Sequence, residues 1–138
     1  MSLKLNFAAA KIVPTGEALM TIMAAEMKKS SSGNTMISAQ LKIDQAEDET
    51  FVGRSTFENW LLEVQKGKSD APLRITYDAL MAFVGTVPDG EVEEDEMKAY
   101  VAALVGKQAY CFLKEDEGGE GFAPKARISK YGISPKLL

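Results

Sequence analysis

Histidine is absent from all 138 residues of this sequence. Because histidine is the most usual general base of enzymes and a common metal ligand, its absence excludes Ser-His-Asp and Cys-His catalytic arrangements. Residues 30–35, SSSGNT, also lack the glycine and lysine frame of a P-loop. We therefore expect a protein that is not an enzyme and that uses no metal ion or cofactor.

Cysteine is almost absent, since Cys111 is the only one. One thiol can form neither an internal disulfide nor a thiolate metal site, and this is typical of proteins from a reducing compartment. We predict that the protein acts in the cytoplasm of a host cell. Cys111 lies between Tyr110 and Phe112, and we interpret it as a buried structural thiol because the sequence offers no partner base.

Long apolar runs are also missing. Every apolar stretch is shorter than the roughly 20 residues that a membrane-spanning helix requires, so we expect no membrane association. Residues 1–14 do not contain the long apolar core of a signal peptide, and we interpret them as the lead-in of the mature protein.

Acidic residues occur in two runs, at positions 44–49 and 91–96. Neither run has the ligand spacing and central glycine of an EF-hand, so a solvated loop and a helix N-terminus are the favoured interpretations. Converging carboxylates can also hold the metal ions of a nuclease, and a metal-dependent nuclease is therefore kept as a third, disfavoured alternative.

The composition, 46% apolar and 26% charged, is that of an ordinary globular protein, and we predict one domain over residues 1–138.

Net charge changes sign along the chain. The net charges of residues 1–42, 43–70, 71–106 and 107–138 are +3, −4, −5 and +2. If both ends enter one sheet, their cations form a basic face on a protein of net charge −4. A chance distribution of charge is the alternative.

Hydrophobic periodicity predicts a mainly β fold with short helices. Apolar and polar residues alternate most clearly at 35–43, which predicts a strand there. The polar turn at 28–34 makes residues 17–27 the hairpin partner of this strand, although their composition favours a helix. Further strands are predicted at 51–58, 107–114 and 123–130, with helices at 73–85, N-capped by Thr76, and at 91–105. Residues 132–138 are expected to be a frayed tail. Five strands with a helical interval between strands 3 and 4 indicate an OB-like five-stranded barrel, and a generic α+β sandwich is the alternative.

Binding of single-stranded nucleic acid requires cations for phosphates and aromatic rings for bases. The candidate cations are Lys28, Lys29, Lys42, Arg54, Lys107, Lys114, Lys125, Arg127 and Lys130. The aromatic candidates are Phe57, Trp60, Tyr110, Phe112 and Tyr131. Tyr110 and Phe112 point outward beside Arg127 if Ala109, Cys111 and Leu113 face the core, and burial of both rings is the alternative. We expect Phe57 and Trp60 to lie in the core.

Short motifs spread over most of the chain carry a family resemblance. They are Asn6–Phe7, the Pro14–Thr15–Gly16 turn, the segment from Lys29 to Met36, Gly53–Arg54, and Leu104 to Lys107. In these features the sequence resembles small phage proteins encoded among replication and recombination genes, which are regarded as single-stranded-DNA-binding proteins. The resemblance implies sequence-independent binding of single-stranded DNA in phage DNA replication or recombination.

An alternative function is that of a protein-interaction module. The acidic middle of the chain and the net negative charge favour an accessory factor that docks on a phage recombinase, helicase or nuclease. OB-type binders often pair, so a homodimer is compatible with either function.

Overall fold

A long β-hairpin forms the centre of the fold in the computed structural model, which describes residues 2–117, 121 and 123–138. Strand β1, Gly16–Lys29, pairs antiparallel with β2, Thr35–Ala46, and Gly33 turns the chain between them with a positive φ of 84°. Both strands predicted at 17–27 and 35–43 are confirmed. Register shifts after Leu19 and after Ile22 interrupt the ladder, with the extra residue at Asp44 of β2 in the first and at Met23 of β1 in the second.

The remaining strands flank this hairpin in one five-stranded antiparallel sheet of order β3-β2-β1-β4-β5. They are β3, Ser55–Leu61, β4, Gln108–Asp116, and β5, Lys125–Tyr131. The mainly β prediction and the helical interval between strands 3 and 4 are confirmed. Closure of the sheet into a barrel is not confirmed, because no backbone ladder joins β3 to β5 within the described residues.

The helices start and end at other residues than the sequence suggested. They are α1, Ala8–Lys11, in the expected irregular lead-in, α2, Ala71–Phe83, and α3, Glu94–Ala102. Thr76 is not an N-cap: α2 begins five residues earlier, with Pro72 in its first turn, where a proline fits. The Thr76 hydroxyl instead donates to the carbonyl oxygen of Leu61 at 2.6 Å and so ties α2 to β3.

The third strand begins later than predicted. A 3₁₀ turn at Glu49–Phe51 occupies the start of the expected strand 51–58, and the Asp48 carboxylate caps it by accepting from the backbone N–H of Thr50. Gly53, with a φ of 92°, then leads the chain into β3. The strand continues through residues 59–61, so Trp60 is a strand residue.

The core lies between one face of the sheet and helices α2 and α3. Ile22, Ile37, Leu41 and Leu113 of the sheet are almost fully buried, together with Leu80 and Leu104 from the helical interval. Trp60 is buried as expected, with its ring 6.0 Å from those of Phe83 and Tyr131. None of the helices in the described part of the chain is both long and apolar enough to cross a bilayer.

The C-terminal segment is anchored rather than frayed. The carboxylate of Glu17, which is buried, accepts hydrogen bonds from the backbone N–H groups of Lys136 at 2.6 Å and Leu137 at 3.0 Å. Local sequence patterns do not predict this contact, because it joins residues about 120 positions apart. Leu137 and Leu138 extend from it to the loop that contains Glu47 and Val52.

Candidate nucleic-acid interface

Strand alternation divides the sheet into a core face and an outward face. In β3, Thr56, Glu58 and Trp60 are buried, whereas Ser55, Phe57 and Asn59 are exposed. Directly paired residues of an antiparallel ladder share a face, so the pairs Phe57–Gln40 and Asn59–Ser38 extend the outward face onto β2.

Phe57 is the most exposed aromatic ring of the sheet, with 69% of its surface accessible. The expectation that it lies in the core is wrong. The sequence does indicate this exposure, because Phe57 lies three residues from the buried Trp60 and an odd separation in a strand places two residues on opposite faces. A phenylalanine left in water forgoes roughly 1.5–3 kcal/mol of burial free energy, so this position contributes little to folding.

A shallow depression adjoins the Phe57 ring on the outward face. Its walls include Lys28, Ser38 and Gln40, and its volume is about 390 Å³. Lys28 Nζ lies 3.0 Å from a carboxylate oxygen of Glu26, and both side chains are largely in solvent. Hydrogen-bonding groups and the Lys28–Glu26 ion pair therefore flank the exposed ring, whose flat face can stack with a planar ligand.

Four candidate cations gather on the two strands at the opposite edge of the sheet. The β4–β5 basic group consists of Lys114, Lys125, Arg127 and Lys130, all of them exposed. The register pairs Lys114 with Arg127, and Lys130 with Phe112. Arg127 Nη1 lies 3.4 Å from the Asp116 carboxylate, while Lys114 and Lys130 form no ion pair within the described residues.

The rings of Tyr110 and Phe112 lie on the outward face of β4. The small apolar residues Ala109, Cys111 and Leu113 face the core, which decides between the two orientations that the sequence left open. Tyr110 is 36% exposed, and Phe112 is half-buried. Cys111 is buried, as expected, and burial raises the pKa of its thiol to about 12.

Lys42 faces outward but is held in a polar network. Its Nζ lies 3.3 Å from Asp44, whose carboxylate also accepts from the Thr21 hydroxyl and, at 3.2 Å, from the Gln108 amide. The Thr21 hydrogen bond, more than Lys42, holds the pKa of Asp44 below its usual range. The Asp44 carboxylate therefore offsets the charge of Lys42, as Glu26 does for Lys28 and Asp116 for Arg127.

The other three candidates lie at or just beyond the ends of strands. Lys29 follows Lys28 in the strand and so points to the other side, where its Nζ donates to the Thr35 hydroxyl at 3.0 Å. Arg54 donates to the carbonyl of Ile12 at 2.5 Å and lies over the Phe51 ring. Lys107 precedes β4, and its carbonyl accepts from the Ile22 N–H.

Side chains connect the two unpaired edges of the sheet, β3 and β5, whose Cα atoms come within 8 Å. Glu58 Oε1 accepts from the backbone N–H of Ile128 at 2.9 Å, and Trp60 Nε1 donates to the Tyr131 hydroxyl at 2.8 Å. Burial raises the pKa values of Glu58 and Tyr131. Tyr131 is thus part of this contact, which we call the seam, and the outward residues of β3 and β5 lie on either side of it.

The described residues contain no group of three or more acidic or thiol side chains placed to hold a metal ion. The sequence matches no model of a known protein family and no curated protein. The outward face, with its exposed ring and flanking cations, is therefore the feature from which a function can be argued.

Proposed function

We propose that the chain binds single-stranded DNA, largely without sequence preference, on the outward face of its sheet. Bases stack on Phe57 and Tyr110, and phosphates contact Lys28 and the β4–β5 basic group. Every base has a flat face that can stack on an aromatic ring, so such a surface tolerates sequence. The interface requires neither a catalytic group nor a cofactor.

The order of the strands supports an OB-type arrangement for this proposal. In a five-stranded OB barrel, the first strand lies between the second and the fourth, a helix lies between the third and fourth strands, and the third and fifth strands meet. The order β3-β2-β1-β4-β5, the helices between β3 and β4, and the seam between β3 and β5 are compatible with that plan. OB barrels bind oligonucleotides on the face of strands 2 and 3, which here carries Gln40 and Phe57.

The single observation that carries the proposal is the exposure of Phe57 in the middle of a paired strand. Its neighbours on the same face are Gln40, Asn59 and, through β2 and β1, Lys28. The seam also sets the outward side of β3 beside that of β5, where Arg127 lies. An exposed ring on a face that also carries cations fits a strand of nucleotides better than it fits a purely apolar partner.

The resemblance to phage replication and recombination proteins gives this binding a biological setting. Single-stranded DNA is an intermediate of both processes in the cytoplasm of the host cell, and a recombinase, helicase or nuclease of the phage would act on the same strand. The overall charge of −4 does not prevent binding, because phosphate contacts depend on the local charge of one face.

Fluorescence anisotropy with a labelled oligo-dT tests the proposal. We expect binding that weakens steeply as salt rises, because phosphate contacts release counterions, and much weaker binding to a duplex of equal length. Absence of binding at low salt would contradict the proposal. The acidic middle of the chain, including residues 91–96, would then be tested as a docking surface for a protein partner, the alternative function.

A further inference from the structure

A cavity of about 520 Å³ lies at the seam, between residues 59–61 of β3, residues 127–131 of β5 and the first turns of α2. Its size falls within the range of about 300–1,000 Å³ that is typical of small-ligand sites. Pro72 and Ile75 from α2 and Leu61 from β3 give it apolar walls. Half of the Ile75 surface is exposed.

Polar side chains line this seam cavity, with cations on the β5 side and hydrogen-bonding groups on the side of α2 and β3. Arg127 and Lys130 of β5 contribute cations, whereas Asp78 of α2 and Asn59 of β3 contribute hydrogen-bonding groups. A nucleotide has the matching polarity, since its phosphate is an anion and its base is a planar ring with a hydrogen-bonding edge.

An extended peptide fits this seam poorly. Neighbouring strands lie about 4.8 Å apart, so an inserted strand needs roughly 9.6 Å between β3 and β5. The Cα atoms of the two strands come within 8 Å, and the Glu58 carboxylate already takes the Ile128 N–H that a peptide would use. The exposed Asn59 and Lys130 line the cavity, so it reaches the outward face, from which a flat ring is the ligand that fits.

We propose that the seam cavity accepts one base of the bound DNA and prefers bases that carry an exocyclic amino group. This inference rests on the proposed function. The Asp78 carboxylate is only an acceptor, and it can receive the amino hydrogens of cytosine N4 or adenine N6. Thymine presents an acceptor oxygen at the corresponding position and would face the carboxylate unfavourably. Arg127 and Lys130 hold the adjoining phosphates.

The test compares labelled oligo-dC and oligo-dT of equal length, at pH 7.5 and one salt concentration, by anisotropy. We expect the unaltered chain to bind oligo-dC about fivefold more tightly, which is at the lower end of single-base discrimination. Asp78→Asn should reduce that preference to less than about twofold, because an amide can accept from cytosine N4 or donate to thymine O4. As an exposed substitution on α2, it should change stability little. Asp89→Asn, in the turn at 86–90, is the matched control and should keep the preference.

Fluorescence of Trp60, the only tryptophan of the chain, gives a second readout because its side chain lines the seam cavity. We expect oligo-dC to change this emission, and Asp78→Asn to reduce the change. Equal affinities of the unaltered chain for both oligonucleotides, or a preference that survives in Asp78→Asn, would overturn the inference alone. Failure to bind either oligonucleotide would overturn the proposed function with it.

Discussion

The Glu58 carboxylate and the backbone N–H of Ile128 meet at 2.9 Å and join the two edges of the sheet that share no ladder. The bond holds the outward residues of β3 beside those of β5. It also places an ionisable group in a site where only 6% of the residue is exposed. The seam is therefore both the link between the two halves of the candidate interface and a point at which stability depends on pH.

Replacement of Glu58 by glutamine should change the pH dependence of stability. Burial, the largest cause, raises the pKa of Glu58 above its ordinary 4.5, against the opposing effects of the Ile128 N–H, Arg127 and Lys125. The folded protein holds this proton more tightly than the unfolded chain does, so its stabilising contribution is complete below pH 4.5 and is lost as pH rises through the raised pKa. Glutamine can still accept from Ile128 but carries no charge.

We expect Glu58→Gln to match the unaltered protein near pH 4 and to exceed it in unfolding free energy at pH 7, as measured by urea denaturation. Glu58→Ala is the comparison, because it leaves the Ile128 N–H without its acceptor and should cost about 1–3 kcal/mol near pH 4. The cost should be smaller at pH 7, where the same substitution also removes the buried charge. Parallel stability curves for the unaltered protein and Glu58→Gln between pH 4 and pH 7 would contradict this account of the seam.

Removal of Glu17 should release the C-terminal segment. Its buried carboxylate accepts from the N–H groups of Lys136 and Leu137, so Glu17→Ala should accelerate hydrogen exchange of both amides and lower stability by about 1–3 kcal/mol. Glu26→Ala is the control, since the exposed Glu26 carboxylate pairs with Lys28 on the surface. Unchanged exchange at Lys136 and Leu137 in Glu17→Ala would show that another contact anchors the segment.

Neutralising one lysine of the β4–β5 basic group should reduce the salt dependence of DNA binding. Lys114→Gln should lower the slope of log affinity against log salt by about 0.7, the value expected for one lost contact to a single-stranded phosphate. Lys98→Gln, which removes a lysine paired with Glu94 on α3, should leave the slope unchanged. Equal salt-dependence slopes for Lys114→Gln and the unaltered chain would show that Lys114 does not contact the DNA.

Local patterns predicted the central hairpin well, even where propensity opposed them. Residues 17–27 are rich in helix formers, yet they form β1 because the neighbouring strand at 35–43 requires a partner and the turn between them is short. Tertiary pairing thus outweighed the helical preference of alanine, leucine, methionine and glutamate. The start of α2 was missed because Thr76 resembles a cap, although Pro72 is the better signal.

The candidate site was predicted only in part, for two physical reasons. Alternation within a strand separates neighbours such as Lys28 and Lys29, and the same rule applied to residues 55–60 would have put Phe57 opposite Trp60. The seam is different, because Glu58 and Ile128 are 70 positions apart and no local pattern relates them. The nearness of β3 to β5 could therefore not be inferred before the sheet was known.

The most direct test of the central claim is the affinity of Phe57→Ala for oligo-dT at fixed low salt, measured beside Tyr77→Ala. Tyr77 is a matched control, since it is 54% exposed but lies on α2. We predict that Phe57→Ala loses about 1–3 kcal/mol of binding free energy, roughly 5- to 150-fold in affinity, with thermal stability unchanged, whereas Tyr77→Ala binds normally. Full affinity in Phe57→Ala, or an equal loss in Tyr77→Ala, would contradict the claim that the outward face binds single-stranded DNA through this ring.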